Sequence, residues 1–271
     1  MNTIAERLPP SSWRPTSLIL GSIGLHIFAV LGVVIAPSAW PGWGAVVLMD
    51  HLVLVAASLH PRNRWLGPNR VRLSPEAAAR GEVALTFDDG PDPRVTPQVL
   101  DLLAAAGVQA TFFSIAARAE TQRELVSALV KAGHRIENHS YVHGKSFAWR
   151  PPGRIRSEVE RAQQALHETA GRVPRLFRAP AGVQSPWLGF VLARTGLQLV
   201  SWTARAFDTR DGDPDRVLAR LTNALEPGAI LLLHDAGSAV APTGRPVVLE
   251  VLPALLEEIR TRSLVPVVLD P

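Results

Sequence analysis

Apolar and polar positions alternate in a regular way along the C-terminal two thirds of the chain. Short apolar runs bounded by turn residues are typical of buried strands, and the segments between them repeat apolar residues at helical spacing. The runs predict strands near 83–87, 110–115, 135–138, 175–179, 197–202, 229–233 and 264–269. The intervening segments predict helices near 95–106, 121–132, 154–170, 186–195, 213–225 and 247–262. Seven strands alternating with helices indicate an α/β fold with a parallel sheet, most economically a closed or nearly closed barrel.

The segment before this alternation has a different pattern. Residues 17–36 are apolar over about the 20 residues that a membrane-spanning helix needs. A second apolar stretch, 43–59, is interrupted by Asp50 and His51, and His26 lies near the middle of the first stretch. In a two-helix hairpin these polar side chains would lie at similar depth and could pair, as polar groups inside membranes usually do. We therefore predict a membrane segment and linker over 1–69 and a second domain over 70–271.

Charge and tryptophan placement indicate how such a hairpin would be oriented. Tryptophans lie near both ends of the pair of stretches, at Trp13, Trp40, Trp43 and Trp65. The turn carries no positive charge, whereas six arginines lie on the open side, namely Arg7, Arg14, Arg62, Arg64, Arg70 and Arg72. The positive-inside rule then places the second domain in the cytoplasm, at the cell (inner) membrane. A single span would place it outside, and a cleaved signal peptide is disfavoured because its apolar core is usually shorter.

Two neighbouring carboxylates, Asp88 and Asp89, follow the first apolar run of the second domain, in the sequence TFDDGP. Successive side chains at a strand end point in opposite directions. The two carboxylates can therefore serve separate purposes, such as ligating a metal and transferring a proton. A turn without chemistry is the alternative, because Asp, Gly and Pro are common turn residues.

Two histidines, His139 and His143, follow the strand predicted at 135–138, at H-x-x-x-H spacing. Residues four apart share one face of a helix, so both imidazoles could reach one ion. Two histidines and one carboxylate suit zinc and similar divalent ions. Two unrelated histidines are the alternative.

Other polar residues lie at the ends of later strands. Arg178 follows one run in FRAPAG, Asp208 follows the next, and His234 ends a third in LLLHD. In α/β barrels the active site gathers at the C-terminal ends of the strands. The sequence therefore predicts one site at this edge of the sheet.

The motifs TFDDGP, HSYVH, FRAPAG and LLLHD, in this order, resemble those of the polysaccharide deacetylases, carbohydrate esterase family 4. The resemblance covers about residues 81–271. It implies a distorted (β/α)7 barrel and a metal-dependent hydrolase that removes N-acyl groups, usually acetyl, from amino sugars. It also identifies 70–271 as the catalytic domain.

The resemblance implies a role for each matching residue. Asp89, His139 and His143 correspond to the metal ligands, and the metal is expected to be zinc, with cobalt or manganese as alternatives. Asp88 corresponds to the general base and His234 to the general acid. Arg178 matches the residue that orients the base, and Asp208 matches the carboxylate that tunes the acidic histidine.

The sequence departs from the family pattern around the substrate. Ala181 replaces an aromatic residue that is often present, although its backbone N–H could still serve an oxyanion. Arg205 stands where the family usually has an acidic residue, and it is either a solvated charge or a contact for a substrate phosphate or carboxylate. Trp149 could stack on a sugar ring or simply pack. Gly182 and Leu232 complete the predicted substrate-binding set.

Composition limits the partners. The net charge is +4 and no cysteine is present. The sequence has no cluster of basic residues interleaved with aromatics, the pattern that would indicate nucleic-acid binding. The expected partners are a membrane and an N-acetylated glycan or lipid-linked sugar. Two alternatives remain, namely a deacylase or deformylase of a polyprenyl-phosphate-linked sugar and an inactive glycan-binding protein that keeps the metal site. Asp88 and His234 speak against the second, because binding needs neither proton-transfer group.

Overall fold

Ten α-helices and eight β-strands make up the computed structural model, which describes residues 8–271. Arg7, one of the arginines in the topology prediction, lies outside the described residues. The helices are α1 Ser17–Ile35, α2 Trp40–Ser58, α3 Pro75–Ala79, α4 Thr96–Ala105, α5 Ala116–Thr121, α6 Arg123–Lys131, α7 Pro152–Ala170, α8 Leu188–Thr195, α9 Pro214–Thr222 and α10 Val247–Thr261. The strands are β1 Glu82–Asp88, β2 Thr111–Ser114, β3 Arg135–Asn138, β4 Leu176–Phe177, β5 Gln198–Leu199, β6 Ala204–Arg205, β7 Ile230–His234 and β8 Val265–Val267.

The strands form one curled parallel sheet in the order β5-β4-β3-β2-β1-β7-β6, with β8 paired to the start of β1. Strands β5 and β6 lie at opposite edges of this path, yet only residues 200–203 separate them in the chain. The sheet must therefore curve back on itself. Arg70 pairs with Val200 beside this gap. The predicted α/β barrel is confirmed as a curled half-barrel.

The strand predicted at 197–202 is the part of the pattern that the structure corrects. Its first residues pair with β4 as β5, and the chain then crosses to pair with β7 as β6. Only Gln198–Leu199 of the predicted run forms strand β5, whereas β6 lies beyond the run, at Ala204–Arg205, and has a different neighbour. The described residues thus contain eight strands where the pattern predicts seven.

Alternation along β1 and β7 separates the two faces of the sheet. Val83, Leu85 and Phe87 pack in the large apolar cluster that also contains buried residues of α4 and α10. Ala84 and Leu232 belong to a second apolar cluster on the other face. Because side chains alternate along a strand, Thr86, Asp88 and His234 share that interior face. The site residues therefore project into the curved sheet at its C-terminal edge.

Helices α1 and α2 are joined by a short 3-10 turn, Pro37–Ala39. Both helices are long and apolar enough to cross a membrane, a test that signal sequences also pass. The mean hydropathy is 2.5 for Ser17–Ile35 and 1.4 for Pro37–Ser58. Between them, Ser22 Oγ donates to Asp50 Oδ2 at 2.7 Å, and the rings of His26 and His51 lie 5.2 Å apart. The polar residues of the two apolar stretches thus face each other.

The end of α2 is joined to the sheet by hydrogen bonds. The carbonyl of Ser58 accepts from the backbone N–H of Gln184 at 3.0 Å. The carbonyl of Pro61 accepts from Asn69 Nδ2 and Gln184 Nε2 at 2.9 Å each, and from Ser201 Oγ at 2.7 Å. The chain that leaves α2 is therefore attached to the segments that follow β4 and β5.

Candidate active site

A buried ion pair, Arg178 with Asp88, lies at the C-terminal edge of the sheet. Asp88 is the last residue of β1, and its Oδ1 accepts a hydrogen bond from Arg178 Nη1 at 2.7 Å. Arg178 also donates to Thr86 Oγ1 at 2.8 Å and to the Ser201 carbonyl at 2.9 Å. Burial lowers the pKa of Arg178, and Asp88 opposes that shift. Asp88 is thus held in one orientation, with its Oδ2 3.8 Å from Nε2 of His139.

Asp89, His139 and His143 bring three candidate ligand atoms together. Oδ1 of Asp89 lies 3.4 Å from Nε2 of His139 and 3.3 Å from Nε2 of His143. Burial alone would raise the pKa of Asp89, but its contact with His139 and the neighbouring His143 hold that pKa below its usual value. The carboxylate therefore stays ionised, as a metal ligand must be.

The two histidines converge through a turn, not on one face of a helix as their H-x-x-x-H spacing would allow. Ser140 and His143 have positive φ angles of 66° and 55°. Asn138 Oδ1 accepts from the Ser140 N–H at 2.9 Å, and Ser140 Oγ accepts from the His143 N–H at 3.0 Å. Such short polar side chains offer the backbone partners that compete with a helix. The turn still brings the rings of His139 and His143 to 4.8 Å.

These three side chains fit a divalent ion. Nδ1 of His139 lies 2.8 Å from the Arg178 carbonyl oxygen, which assigns the proton to Nδ1 and leaves Nε2 free as a ligand. Oδ1 of Asp89 is buried and has no hydrogen-bond partner among the described residues. A buried carboxylate oxygen without a partner is costly. The three ligand atoms lie within 4.8 Å of one another, and the donor set suits zinc.

His234, at the end of β7, is oriented by Asp208. Nδ1 of His234 lies 2.7 Å from Asp208 Oδ1, and the backbone N–H of His234 donates to Oδ2 at 2.8 Å. Both side chains are buried. Burial alone would lower the pKa of His234, but Asp208 raises it above its usual value, with a smaller contribution from Asp88. An imidazolium held in this way can donate a proton from Nε2.

Two supporting residues, Thr86 and Asp235, were missing from the predicted set. Thr86 is two residues before Asp88 on the same strand face, a spacing that could have identified it. Asp235 Oδ1 accepts from the Gly90 N–H at 3.1 Å, and its Oδ2 accepts from Thr96 Oγ1 at 2.7 Å. Burial raises the pKa of Asp235 to about 7. Asp235 thereby holds the turn that carries Asp89.

The turn after β4 contains Ala181 and Gly182, with φ angles of 55° and 74°. Ala181 is exposed, and Gly182 is buried where a Cβ would overlap Trp202 and lie 2.9 Å from Pro61 Cβ. The Gly182 N–H donates to the Ala179 carbonyl at 2.8 Å. Only glycine fits at 182, and its N–H is already engaged.

The other predicted substrate-binding residues lie in different surroundings. Leu232 is 1 % exposed on the interior face, and β6 places Arg205 opposite it. Trp149 is 54 % exposed in the 3-10 turn Phe147–Trp149. Beside the candidate ligands a cleft of about 290 Å3 opens, lined by Asp89, Ile115, Ala117, Arg118, Val142 and His143. Larger clefts lie at the opposite end of the sheet, away from this chemistry.

Comparison with known proteins gives consistent matches. The family described as "Polysaccharide deacetylase" matches residues 76–200. A chitooligosaccharide deacetylase of Bradyrhizobium sp. (strain ANU 289) is 38 % identical over 154 residues, which cover 56 % of this chain and 70 % of that protein. A peptidoglycan-N-acetylglucosamine deacetylase of Bacillus cereus is 31 % identical over 160 residues, 58 % of this chain and 56 % of that one.

The fold matches solved structures as well. A family 4 carbohydrate esterase from Streptomyces lividans, in complex with acetate, superimposes with a TM-score of 0.62 at 32 % identity, covering 69 % of this chain and 91 % of that chain. The motif residues, the curled sheet and the relatives agree. The chain belongs to the polysaccharide deacetylase family, carbohydrate esterase family 4, and is a hydrolase of N-acetyl amide bonds.

Proposed function

We propose that this chain removes acetyl groups from N-acetylglucosamine residues of an oligosaccharide or wall glycan, by metal-dependent attack of water. The observation that carries the proposal is that two pairs and one triad of side chains converge at one edge of the sheet. The pairs are Asp88 with Arg178 and His234 with Asp208, and the triad is Asp89 with His139 and His143. The substrates of the Bradyrhizobium and Bacillus cereus relatives support the choice of sugar.

Asp89, His139 and His143 would hold the divalent ion, with zinc favoured and cobalt or manganese as alternatives. When bound, such an ion lowers the pKa of water and polarises a carbonyl oxygen. The protein prepares these ligands by burying His139, by leaving Asp89 and His143 partly exposed beside it, and by fixing the proton of His139 on Nδ1.

Asp88 would act as the general base. Arg178 occupies its Oδ1, which leaves Oδ2, on the side of His139, to accept the proton of the attacking water. Because Arg178 is itself fixed by Thr86 and the Ser201 carbonyl, the carboxylate cannot easily rotate away. Positioned bases of this kind contribute roughly 100- to 10,000-fold to the rate.

His234 would donate the proton that the leaving amine needs, since its pKa is held above the usual value by Asp208. The backbone N–H of Ala181 would face the developing oxyanion, a role that its neighbour Gly182 cannot take while it donates to Ala179. Leu232 and Trp149 would contact the sugar. Trp149 suits this because its ring is exposed.

The N-terminal helices would anchor the enzyme in the cell membrane, with the catalytic domain of 70–271 on the cytoplasmic side. The length and hydropathy of α1 and α2 support an anchor. The facing polar residues Ser22, His26, Asp50 and His51 support a hairpin, because polar side chains inside a membrane usually pair with each other.

The test is acetate release from N-acetylglucosamine oligomers by purified, zinc-loaded protein. Asp88→Asn should lower the rate by roughly 100- to 10,000-fold, because the base is lost while the fold is kept. Asp101→Asn, which changes an exposed carboxylate on α4, should leave the rate unchanged. Equal rates in Asp88→Asn and wild type would refute the assigned base, and no release by wild type from any oligomer would refute the activity.

A further inference from the structure

Arg205 lies at the edge of the candidate site, and its guanidinium has no hydrogen bond or ion pair with the residues that the structure describes. Its Nε is buried and has no hydrogen-bond partner among residues 8–271. Buried polar groups normally have a partner, so such an exception requires an explanation. Arginine carries five donors in a planar fork that matches the oxygens of carboxylate and phosphate.

Two aromatic rings, those of Trp202 and Phe207, lie within 6 Å of the Arg205 guanidinium. Its guanidinium carbon lies 5.6 Å from the ring centre of Trp202 and 5.0 Å from that of Phe207. The same Trp202 ring lies 5.9 Å from Arg178 and packs beside Gly182. Arg205 is therefore a pre-organised cation next to the base-orienting arginine and the turn after β4, rather than a mobile surface charge.

No carboxylate of the site forms an ion pair or a hydrogen bond with Arg205 among the described residues, although the charges of Asp88, Asp208 and Asp89 act on it through space. Asp88 Oδ1 is bound by Arg178, and both oxygens of Asp208 are bound by His234. Burial lowers the pKa of Arg205, and the charge of Asp88 opposes that effect. Arginine nevertheless remains charged in proteins. The site thus contains a half-buried positive charge whose donors are available to a ligand.

We propose that Arg205 binds an oxyanion of the substrate, a phosphate or a carboxylate carried close to the acetylated amino group. This rests on the proposed deacetylase function and adds the class of substrate, namely an anionic N-acetylated glycan in preference to a neutral one. A neutral oligomer would leave the guanidinium desolvated and unpaired, which is unfavourable.

The segment before Arg205 is joined by hydrogen bonds to the chain that leaves α2, which bears on the source of such an anion. Arg62, three residues after the C-cap of α2, donates through Nη1 to the Thr203 carbonyl at 3.0 Å, and Ser201 Oγ binds the Pro61 carbonyl. The segment just before β6, which carries Arg205, is therefore attached to the exit of the apolar hairpin. A phosphate that links a sugar to a lipid is one source of the anion, and a carboxylate within a glycan is the other.

The experiment compares three matched substrates: an N-acetylglucosamine oligomer, the same oligomer with a reducing-end phosphate, and the same oligomer with a lactyl carboxylate. Wild type, Arg205→Gln and Arg205→Lys are measured beside Arg210→Gln, which removes an equal charge from an exposed position nearby. Thermal unfolding of each variant establishes that it is folded.

We expect Arg205→Gln to lower kcat/KM about 10- to 100-fold for one or both anionic substrates, the size of a lost hydrogen-bonded charge pair, and to leave the neutral oligomer unchanged. For these substrates, the kcat/KM of Arg205→Lys should lie between those of wild type and Arg205→Gln, because lysine keeps the charge but lacks the planar guanidinium. Arg210→Gln removes a charge that acts on Arg205 only through space, so its loss on the anionic substrates should be smaller than that of Arg205→Gln. The anionic substrate that responds identifies the source, phosphate or carboxylate.

Equal losses on neutral and anionic substrates, or no loss on either anion, would overturn the inference while leaving the deacetylase function intact. Binding of N-acetylglucosamine 1-phosphate, measured by calorimetry on wild type and Arg205→Gln, gives a readout that does not need turnover. Weaker binding to Arg205→Gln would support the anion site even if no oligomer were deacetylated, and equal binding would count against it.

Discussion

At the scale of single residues, the proposed general acid His234 is paired with the carboxylate of Asp208. Burial alone would lower the pKa of His234, and the adjacent carboxylate raises it above its usual value. A general acid is active while it is protonated, so the rate should be lost as pH rises through this raised pKa. Asp208→Asn removes the negative charge, and the alkaline limb of the kcat/KM profile should move to lower pH. At pH 8 we expect at least about a tenfold loss.

The pH profile separates this role from a merely structural one. His234→Gln should remove the alkaline limb altogether and lower the plateau, whereas Asp208→Asn should only displace the limb. An Asp208→Asn profile with the wild-type alkaline limb and a uniformly reduced rate would contradict the electrostatic role of Asp208.

The sequence motifs predict the residues with a chemical role better than the residues that position them. The motifs contained Asp88, Asp89 and His234, and the structure brings these to one edge of the sheet. Asp235 follows His234 in the motif LLLHD, but its positioning role could not be predicted, because its partners Gly90 and Thr96 are about 140 residues away in sequence. Long-range hydrogen bonds leave no local pattern.

At the scale of elements, apolar periodicity was sufficient for β1 and β7, which are long and buried on both faces. It was insufficient for β5 and β6, because each strand has only two residues and β6 lies beyond the apolar run at 197–202. The spacing of His139 and His143 is compatible with either a helix or a turn. Hydrogen bonds that the side chains of Asn138 and Ser140 accept from backbone N–H groups favour the turn.

The contact between the turn after β4 and the exit of α2 depends on Gly182. Gly182→Ala would add a Cβ that overlaps Trp202 and lies 2.9 Å from Pro61 Cβ, at a φ of +74°. A left-handed backbone costs roughly 1–2 kcal/mol, and overpacking adds about 1–3 kcal/mol. We expect the free energy of unfolding of Gly182→Ala to fall by the sum of these two costs, measured by thermal unfolding in detergent.

Gly107→Ala is the matched control, since Gly107 has a φ of +65° and no atom within 4 Å of its added Cβ. It should show only the backbone cost, roughly 1–2 kcal/mol. Equal losses in the two variants would mean that the packing of Gly182 against Trp202 and Pro61 contributes nothing.

At the scale of the whole molecule, the orientation of the hairpin determines which glycans the site can meet. The chain has no native cysteine. Ser38→Cys lies in the exposed turn between α1 and α2, and Ser263→Cys lies at an exposed position after α10. With a membrane-impermeant maleimide on whole cells, and lysed cells as the accessibility control, we expect labelling at 38 alone.

That result would place the catalytic domain in the cytoplasm and direct the search for substrates to soluble or lipid-linked sugar precursors. Labelling at 263 instead would exclude the cytoplasmic orientation and point to a wall or extracellular glycan.

The central claim is that Asp89, His139 and His143 hold an ion on which amide hydrolysis depends. The most direct measurement is acetate release during zinc titration of chelator-treated protein, with bound zinc determined on the same samples. We predict a loss of about 1,000-fold or more on chelation, because metal catalysis contributes several kcal/mol, and recovery in proportion to bound zinc. His143→Ala should recover little at the same zinc concentrations. Full acetate release by metal-free wild type would contradict the account.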